Sequence, residues 1–520
     1  MTWRRLLLLG SASTLFLFLV FTLTPIVSPL PRYTGPHEVG VLDVETEVER
    51  RRIWDARIKE TGEPAFDLNT LAITLYYPSI PRPKTPGTKQ PLARPWLPQP
   101  ISLIGTGYAR MLGIHWPPAQ SLLTGILWLL GSSTVIPGIV DAPLIPASDA
   151  ILVDPEKAAI VEPSEPLLKD ADESKEDMER LEVRRNPSGT DKLPVVVFSH
   201  GMAGMSQSYS HYLGSIASHG YVVAAVEHRD GSGPGTIEHY ANGTSKSVWH
   251  LQLQDLEADP PMTLSTLKTA QLSFREAEIL ETINFFSLLN SNTDQQKIKN
   301  LKPDSPEKTL PTFSSRLDLS QITIIGHSYG ATGALQALRR ASKSKPQASK
   351  NNINLPTDAT ITGGISLDPG KASGPLNTHI PCPLLVLQSG EWTNKAPSTD
   401  FYGLGPHWRV VRDLVANVPS KKGWFMTIPG TAHPSVTDAP LIVPWIMKMV
   451  TGTTLDAKTA LEEYVDVSVR FLEYLRSGRK EGVLASEVTS EKGPLGKEGE
   501  RGVVDGEAGG KWEVHVVPEE

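Results

Sequence analysis

A serine flanked by glycines, Gly326-His327-Ser328-Tyr329-Gly330, follows the apolar run Ile322-Thr323-Ile324-Ile325 and precedes Ala331, Ala334, Leu335 and Leu338 at helical spacing. The pattern is that of a nucleophile elbow, a strand-to-helix turn so sharp that a Cβ at position 326 or 330 would crowd the adjoining backbone. Ser328 is the candidate nucleophile, its hydroxyl exposed at the top of a sheet. A serine hydroxyl is a weak nucleophile alone. It needs a base that takes its proton and a carboxylate that holds the base in the right tautomer.

When a nucleophile elbow is present, these partners follow in chain order, the acid and then the histidine. Four histidines lie downstream: His379, His407, His433 and His515. His433 ends Phe425-Met426-Thr427-Ile428-Pro429-Gly430-Thr431-Ala432-His433, a short apolar strand running into a Pro/Gly turn. A catalytic base belongs on such a loop beyond a last strand. His379 precedes a Pro-Cys-Pro strand entry and His407 opens a helix, so both read as structural. For the carboxylate, Gly363-Gly364-Ile365-Ser366-Leu367-Asp368 is a strand ending in an acid, which places Asp368 at the sheet edge that presents Ser328. Glu391, after the strand Leu384-Leu385-Val386-Leu387-Gln388, is the alternative. The shorter side chain of Asp368 favours it, because it orients an imidazole more tightly. Asp438 reads as a helix N-cap before Ala439-Pro440.

Val195-Val196-Val197-Phe198-Ser199 is a buried strand opening into the loop His200-Gly201-Met202, of the kind that donates a backbone N–H to an oxyanion. The second donor is the N–H of Tyr329, the residue after the nucleophile. Met202 and Tyr329 serve by their backbone, which leaves their side chains to shape an acyl pocket. His200 is expected to pack or to orient the loop.

The elements that position these residues predict an α/β fold of the α/β-hydrolase type, a mostly parallel sheet flanked by helices, over residues 32–475. Polar insertions are expected at about 154–191, 290–315 and 341–357, and the charged, Gly-rich tail 476–520 is expected to be disordered. Residues 263–289 predict a long helix and residues 461–475 a last amphipathic one. The single cysteine, Cys382, excludes an internal disulfide and reads as a buried thiol. A formal net charge of -7 with interspersed Lys and Arg argues against nucleic acid as a partner. No His/Cys/Asp cluster has ligand spacing, so neither metal nor cofactor is expected.

At the N-terminus, Arg4 and Arg5 precede 18 residues without a charge, 6–23. Residues 1–31 predict a signal anchor or a signal peptide, with the catalytic domain on the lumenal or outer side of a membrane or secreted. Asn242-Gly243-Thr244 is a glycosylation sequon that this topology exposes. Pro117-Pro118 opens an apolar helix with Leu122, Leu123, Ile126, Leu127, Trp128, Leu129 and Leu130, either a core helix or one that lays Leu127 and Trp128 into a lipid surface.

Phe198-Ser199-His200-Gly201, the segment Ala217-Ser218-His219-Gly220-Tyr221 through Glu227-His228-Arg229-Asp230, and Gly326-His327-Ser328-Tyr329-Gly330 resemble the plasma-type (group VII) platelet-activating factor acetylhydrolases. The resemblance extends to Gly35-Pro36-His37-Glu38-Val39-Gly40, Leu75-Tyr76-Tyr77-Pro78, Leu367-Asp368 and Gly430-Thr431-Ala432-His433, most of residues 35–475. It implies a calcium-independent Ser/Asp/His esterase that removes acetyl or short, often oxidised, sn-2 acyl chains from glycerophospholipids and docks on lipid through apolar helical surface. The triad roles then fall on Ser328, Asp368 and His433, and the oxyanion roles on Met202 and Tyr329. A broader carboxylesterase or lipase of the same fold is the near alternative, and a silent membrane-anchored binding protein the remote one.

Overall fold

The computed structural model describes residues 27–80, 93–147, 192–302, 309–341, 353–370, 373–395, 404–497 and 500–519. Residues 1–26 of the expected N-terminal signal segment and the expected insertion at 154–191 therefore lie outside the described residues, as do 342–352 of the insertion at 341–357.

Among the described residues the main sheet has 13 strands, of which the nine longest are β1 (Glu38–Ile58), β2 (Pro64–Ser79), β3 (Leu193–Ser199), β4 (Val222–Glu227), β5 (Leu317–His327), β6 (Ile361–Leu367), β7 (Leu384–Ser389), β8 (Gly423–Ile428) and β9 (Lys511–Val516). Their spatial order is β1-β2-β4-β3-β5-β6-β7-β8-β9, parallel from β4 to β8 and antiparallel at both ends. The central strands are near-continuous apolar runs because both faces are covered. Alternate residues go to opposite cores: Val195, Val197, Ile322, Ile324, Leu384 and Val386 to one, Val196, Phe198, Ile325, Leu385 and Leu387 to the other.

Among the described residues the α-helices longer than one turn are α1 (Ile101–Met111), α2 (Pro117–Gly131), α3 (Ser210–Ser218), α4 (Leu264–Asn290), α5 (Tyr329–Ala337), α6 (Gly390–Lys395), α7 (His407–Ala416), α8 (Pro444–Thr451) and α9 (Ala457–Ser477), and a single turn, Ala439–Ile442, precedes α8. Side chains of α4, α5 and α7 pack on one face of the sheet, and those of α3 and α9 on the other. α4 starts at Thr263, whose hydroxyl accepts the Thr266 N–H, and α9 at Asp456, whose carboxylate accepts the N–H groups of Lys458 and Thr459.

Two expectations about disorder and insertion are corrected. Within 290–315, residues Ile298–Asn300 pair antiparallel with β1, and Ile298 and Phe313 are buried in the core. In the C-terminal tail, β9 adds to β8, and Trp512 and Val514 are fully buried. The glycines here serve a close approach: a Cβ at Gly506 would stand 2.0 Å from Glu463 Oε2, and one at Gly510 2.7 Å from Glu463 Cγ. The buried Glu463 carboxylate accepts the N–H groups of Ala508 and Gly510 and the Trp512 indole N–H. A composition that signals disorder thus closes onto a single buried acceptor on α9.

Candidate active site

The parallel strands end on one edge, and the loops that leave β3, β5, β6 and β8 meet there. At the end of β5, Ser328 holds φ 55° and ψ -119°, a conformation a non-glycine residue adopts only where its surroundings impose it. The glycines make this possible. A Cβ at Gly326 would lie 2.2 Å from the Gly330 carbonyl oxygen, and one at Gly330 2.0 Å from that of Ser199. The Ser328 N–H donates to Leu367 O at 2.9 Å, and the Ser328 carbonyl accepts from Gly370 N at 3.1 Å, which ties the elbow to the loop after β6.

Ser328 Oγ lies 2.9 Å from His433 Nε2, and His433 Nδ1 lies 3.0 Å from Asp368 Oδ2. Asp368 also accepts the Ser389 N–H and the Ser389 hydroxyl, each at 2.7 Å. With an ionised carboxylate as acceptor, this network assigns the proton of neutral His433 to Nδ1 and leaves Nε2 to receive the serine proton. The Asp368 side chain is buried and that of His433 a quarter exposed, so the carboxylate is shielded while the imidazole reaches solvent.

Further residues that sequence reasoning missed hold the imidazole. Trp392 on α6 stacks on the His433 ring, centroids 3.9 Å apart and planes 8° from parallel, and its indole N–H donates to Pro369 O. His327 covers the ring from a centroid distance of 4.5 Å, and its Nε2–H donates to the His433 carbonyl at 3.1 Å. Glu391, the alternative acid, does not reach His433 Nδ1; its Oε2 accepts the His433 backbone N–H at 3.0 Å. Tyr209 donates its hydroxyl proton to His327 Nδ1 and accepts the Gly201 N–H, so the base and the loop after β3 share one hydrogen-bonded bridge. Ser389, Glu391 and Trp392 all lie at the C-terminal end of β7, the same sheet edge as the triad. That placement is the one signal in the sequence that points to them.

The loop after β3 lies against Ser328: a Cβ at Gly201 would stand 3.1 Å from Ser328 Cβ. Among the described residues the Met202 N–H has no acceptor, while the next N–H, of Ala203 at φ 61°, is tied to Ser232 O. Tyr329 opens α5, at the positive end of that helix dipole. Its side chain does not line an acyl pocket as the sequence suggested. It is buried, and its hydroxyl donates to Gln271 Oε1 at 3.0 Å. His200 is buried as well, with Nδ1–H on Gly201 O and Nε2 accepting the His228 N–H. Burial, then the nearby Arg275 charge, lower its pKa to about 3, so it stays neutral at physiological pH.

Other candidates fall as follows. Leu127 packs inward on the cluster of Leu97, Ile101, Ile104 and Met205, whereas Trp128 is exposed together with Leu122, Ile126 and Leu129. The lipid-surface pair 127 and 128 is therefore split, because successive helical residues point about 100° apart. The Asp438 side chain caps α3 rather than the helix that follows it, accepting the N–H groups of Ser210 and His211 and the Trp96 indole N–H. Burial pushes the Cys382 thiol up to about 12, which makes it inert. His407 is buried with Nε2 on Pro369 O, and His379 is exposed. His327, Asp368 and His433 bring potential metal-ligand atoms within 4.8 Å of one another, but all four ring nitrogens already have the hydrogen-bond partners given above.

A mostly parallel sheet in this order, with a serine on a strained turn after its central strand, defines an α/β-hydrolase. The family model for platelet-activating factor acetylhydrolase, isoform II, matches residues 177–490, more than half of the chain, and the chain belongs to that family of ester hydrolases. The platelet-activating factor acetylhydrolase of Canis lupus familiaris is 29% identical over 175 residues, 33% of this chain and 37% of that protein. That of Cavia porcellus is 24% identical over 295 residues, 54% and 57%. A putative phospholipase A2 of Schizosaccharomyces pombe is 27% identical over 314 residues, 55% and 69%. The chain thus spans between a third and three fifths of the length of these two acetylhydrolases. A solved ferulic acid esterase from Streptomyces cinnamoneus shares 16% identity at a TM-score of 0.49, over 90% of this chain and 97% of that one.

Proposed function

We propose that this chain is a calcium-independent serine esterase that removes acetyl or other short sn-2 acyl groups from glycerophospholipids. The observation that carries the reading is the unbroken line from Ser328 Oγ through the His433 ring to Asp368, at 2.9 and 3.0 Å, on a strained elbow. His433 takes the Ser328 proton as Oγ attacks the sn-2 carbonyl, and Asp368 stabilises the imidazolium. The Met202 and Tyr329 N–H groups receive the oxyanion, an interaction of about 3 kcal/mol for a well-placed donor. His433 then gives its proton to the departing lysolipid oxygen and afterwards activates water to release the acyl group from Ser328. None of these steps requires an added ion.

The relatives named acetylhydrolases and phospholipase A2 support the substrate class. Hydrolysis of a phosphatidylcholine series from sn-2 acetyl to palmitoyl, in EDTA with Ser328→Ala as control, tests it. Rates falling steeply with chain length and undiminished by EDTA are expected. Equal rates on long chains would make the chain a broader lipase or carboxylesterase, and dependence on added calcium would remove the metal-free mechanism.

Approach to a lipid surface is assigned to the exposed apolar side chains of α2, with Trp445, Met449 and Val450 of α8. Trp96 joins the two regions, packing beside Gly131 at the end of α2 and donating to Asp438 ahead of α8. Each such side chain removed from water contributes about 1.5–3 kcal/mol. Ile126→Ser with Trp128→Ser is expected to weaken partitioning onto phosphatidylcholine vesicles at least tenfold, judged by co-sedimentation, while hydrolysis of a soluble ester stays unchanged. Leu127→Ser, which opens the inward face, is expected to lower the melting temperature instead. Such docking accords with entry into the secretory route through residues 1–31, membrane-anchored or secreted, and with a lumenal or extracellular catalytic domain. Among the described residues no helix is long and apolar enough to cross a membrane.

A further inference from the structure

Beside the apolar side chains that α4 packs on the sheet, Lys268, Gln271, Arg275 and Glu278 stand at spacings of three and four, a polar stripe whose last three members are buried. Burying such groups is unfavourable unless each finds partners, and here they do. Arg275, with no exposed surface, donates Nε to Asp230 Oδ2 at 2.7 Å, Nη2 to Ser232 Oγ at 2.6 Å, and Nη1 to the His200 carbonyl. Its guanidinium carbon also stands 4.7 Å from the centre of the Tyr329 ring, whose hydroxyl donates to Gln271. Ser232 in turn accepts the Ala203 N–H through its carbonyl. A single guanidinium therefore touches the peptide before Gly201, the residue that anchors Ala203, and the side chain of Tyr329.

From this geometry we propose that Arg275 is a positioning residue for ester hydrolysis, holding residues 200–203 and the first turn of α5 so that the Met202 and Tyr329 N–H groups converge on one oxyanion. The proposal rests on the reading of Ser328 as nucleophile and of those two N–H groups as the donors. A wholly buried ion pair such as Arg275 with Asp230 contributes little net stability compared with apolar residues of the same volume, so its geometry rather than its energy accounts for it. Lysine would keep the charge opposite Asp230, but an ammonium lacks the planar fork that reaches Asp230, Ser232 and the His200 carbonyl together.

The test uses the full chain, a soluble p-nitrophenyl acetate and its thionoacetate analogue, whose sulfur is a poor match for an oxyanion hole. The wild-type protein is expected to prefer the oxoester by about 100-fold. Arg275→Lys is expected to lower kcat on the oxoester about 10- to 100-fold with KM changed less than about threefold, and to narrow the oxo-to-thiono ratio about tenfold. A general loosening of the fold would lower both substrates in parallel and leave the ratio alone. Thermal melting establishes that the variant is folded. Should it not fold, Ser232→Ala, which removes one guanidinium acceptor and keeps the Asp230 pair, is read in its place and is expected to narrow the ratio in the same direction. A folded variant that retains the wild-type ratio overturns the proposal. Failure of the underlying reading would look different, because the wild-type protein itself would show no Ser328-dependent turnover.

Discussion

Ser328→Ala is expected to reduce kcat by about a million-fold while leaving the melting temperature near that of the wild type. In the proposed mechanism its hydroxyl forms the acyl bond, and no neighbouring group replaces it. Ser199, the nearest serine on β3, is fully buried with its hydroxyl on His228 and cannot meet a substrate. Alanine keeps the Cβ and leaves intact the backbone bonds of the elbow to Leu367 and Gly370. Loss of one hydrogen bond at a partly exposed position costs about 1 kcal/mol or less, so stability and activity separate cleanly. Residual hydrolysis about 1,000- to 10,000-fold above water is expected from the oxyanion donors alone. Steady-state kinetics on a soluble ester, with thermal melting alongside, measures both.

Asp368→Asn is expected to cost about 10,000-fold in kcat with little change in KM. The amide NH2 would face His433 Nδ1 and donate to it, which moves the ring proton to Nε2 and points a donor at Ser328 Oγ. The base is then in the wrong tautomer. An amide also has one oxygen where the carboxylate uses two, so the Ser389 N–H and hydroxyl, each at 2.7 Å, can no longer both be accepted in the present geometry. The same substitution at Glu391 separates the two acids. Its Oε2 accepts the His433 backbone N–H and does not reach the ring, so Glu391→Gln retains an oxygen acceptor there and is expected to lower kcat tenfold at most.

The hydrogen-bonded arrangement of Ser328, His433 and Asp368 was legible because each lies at or just past a strand end, and strand ends are marked in sequence by an apolar run stopping at a turn. Ser328, Asp368 and His433 follow β5, β6 and β8, whose parallel pairing brings their ends to one edge. What the sequence did not disclose are contacts between side chains from elements far apart in the chain. The stacking of Trp392 on His433, the Tyr209 bridge between Gly201 and His327, and the reach of Asp438 to α3 leave no local pattern, because each depends on where two elements come to rest. The order of the tail from 476 is hidden for a related reason. Glycine and glutamate lower the expected apolar burial of a segment, but what orders this one is Glu463, buried on α9 and reachable only by a backbone without side chains. The phase of α2 was also hidden: apolar residues occur nearly all round it, so periodicity does not distinguish the inward Leu127 from the outward Trp128.

The central claim is that one serine, activated by one histidine, carries the chemistry. It is tested most directly by treating the folded chain with a fluorophosphonate and locating the adduct by peptide mass spectrometry. The account predicts a single adduct on Ser328, absent in Ser328→Ala, formed at least 100-fold more slowly in His433→Ala, and appearing in step with the loss of esterase activity. An adduct on any other residue, or full ester hydrolysis surviving after Ser328 is modified or replaced, would contradict it.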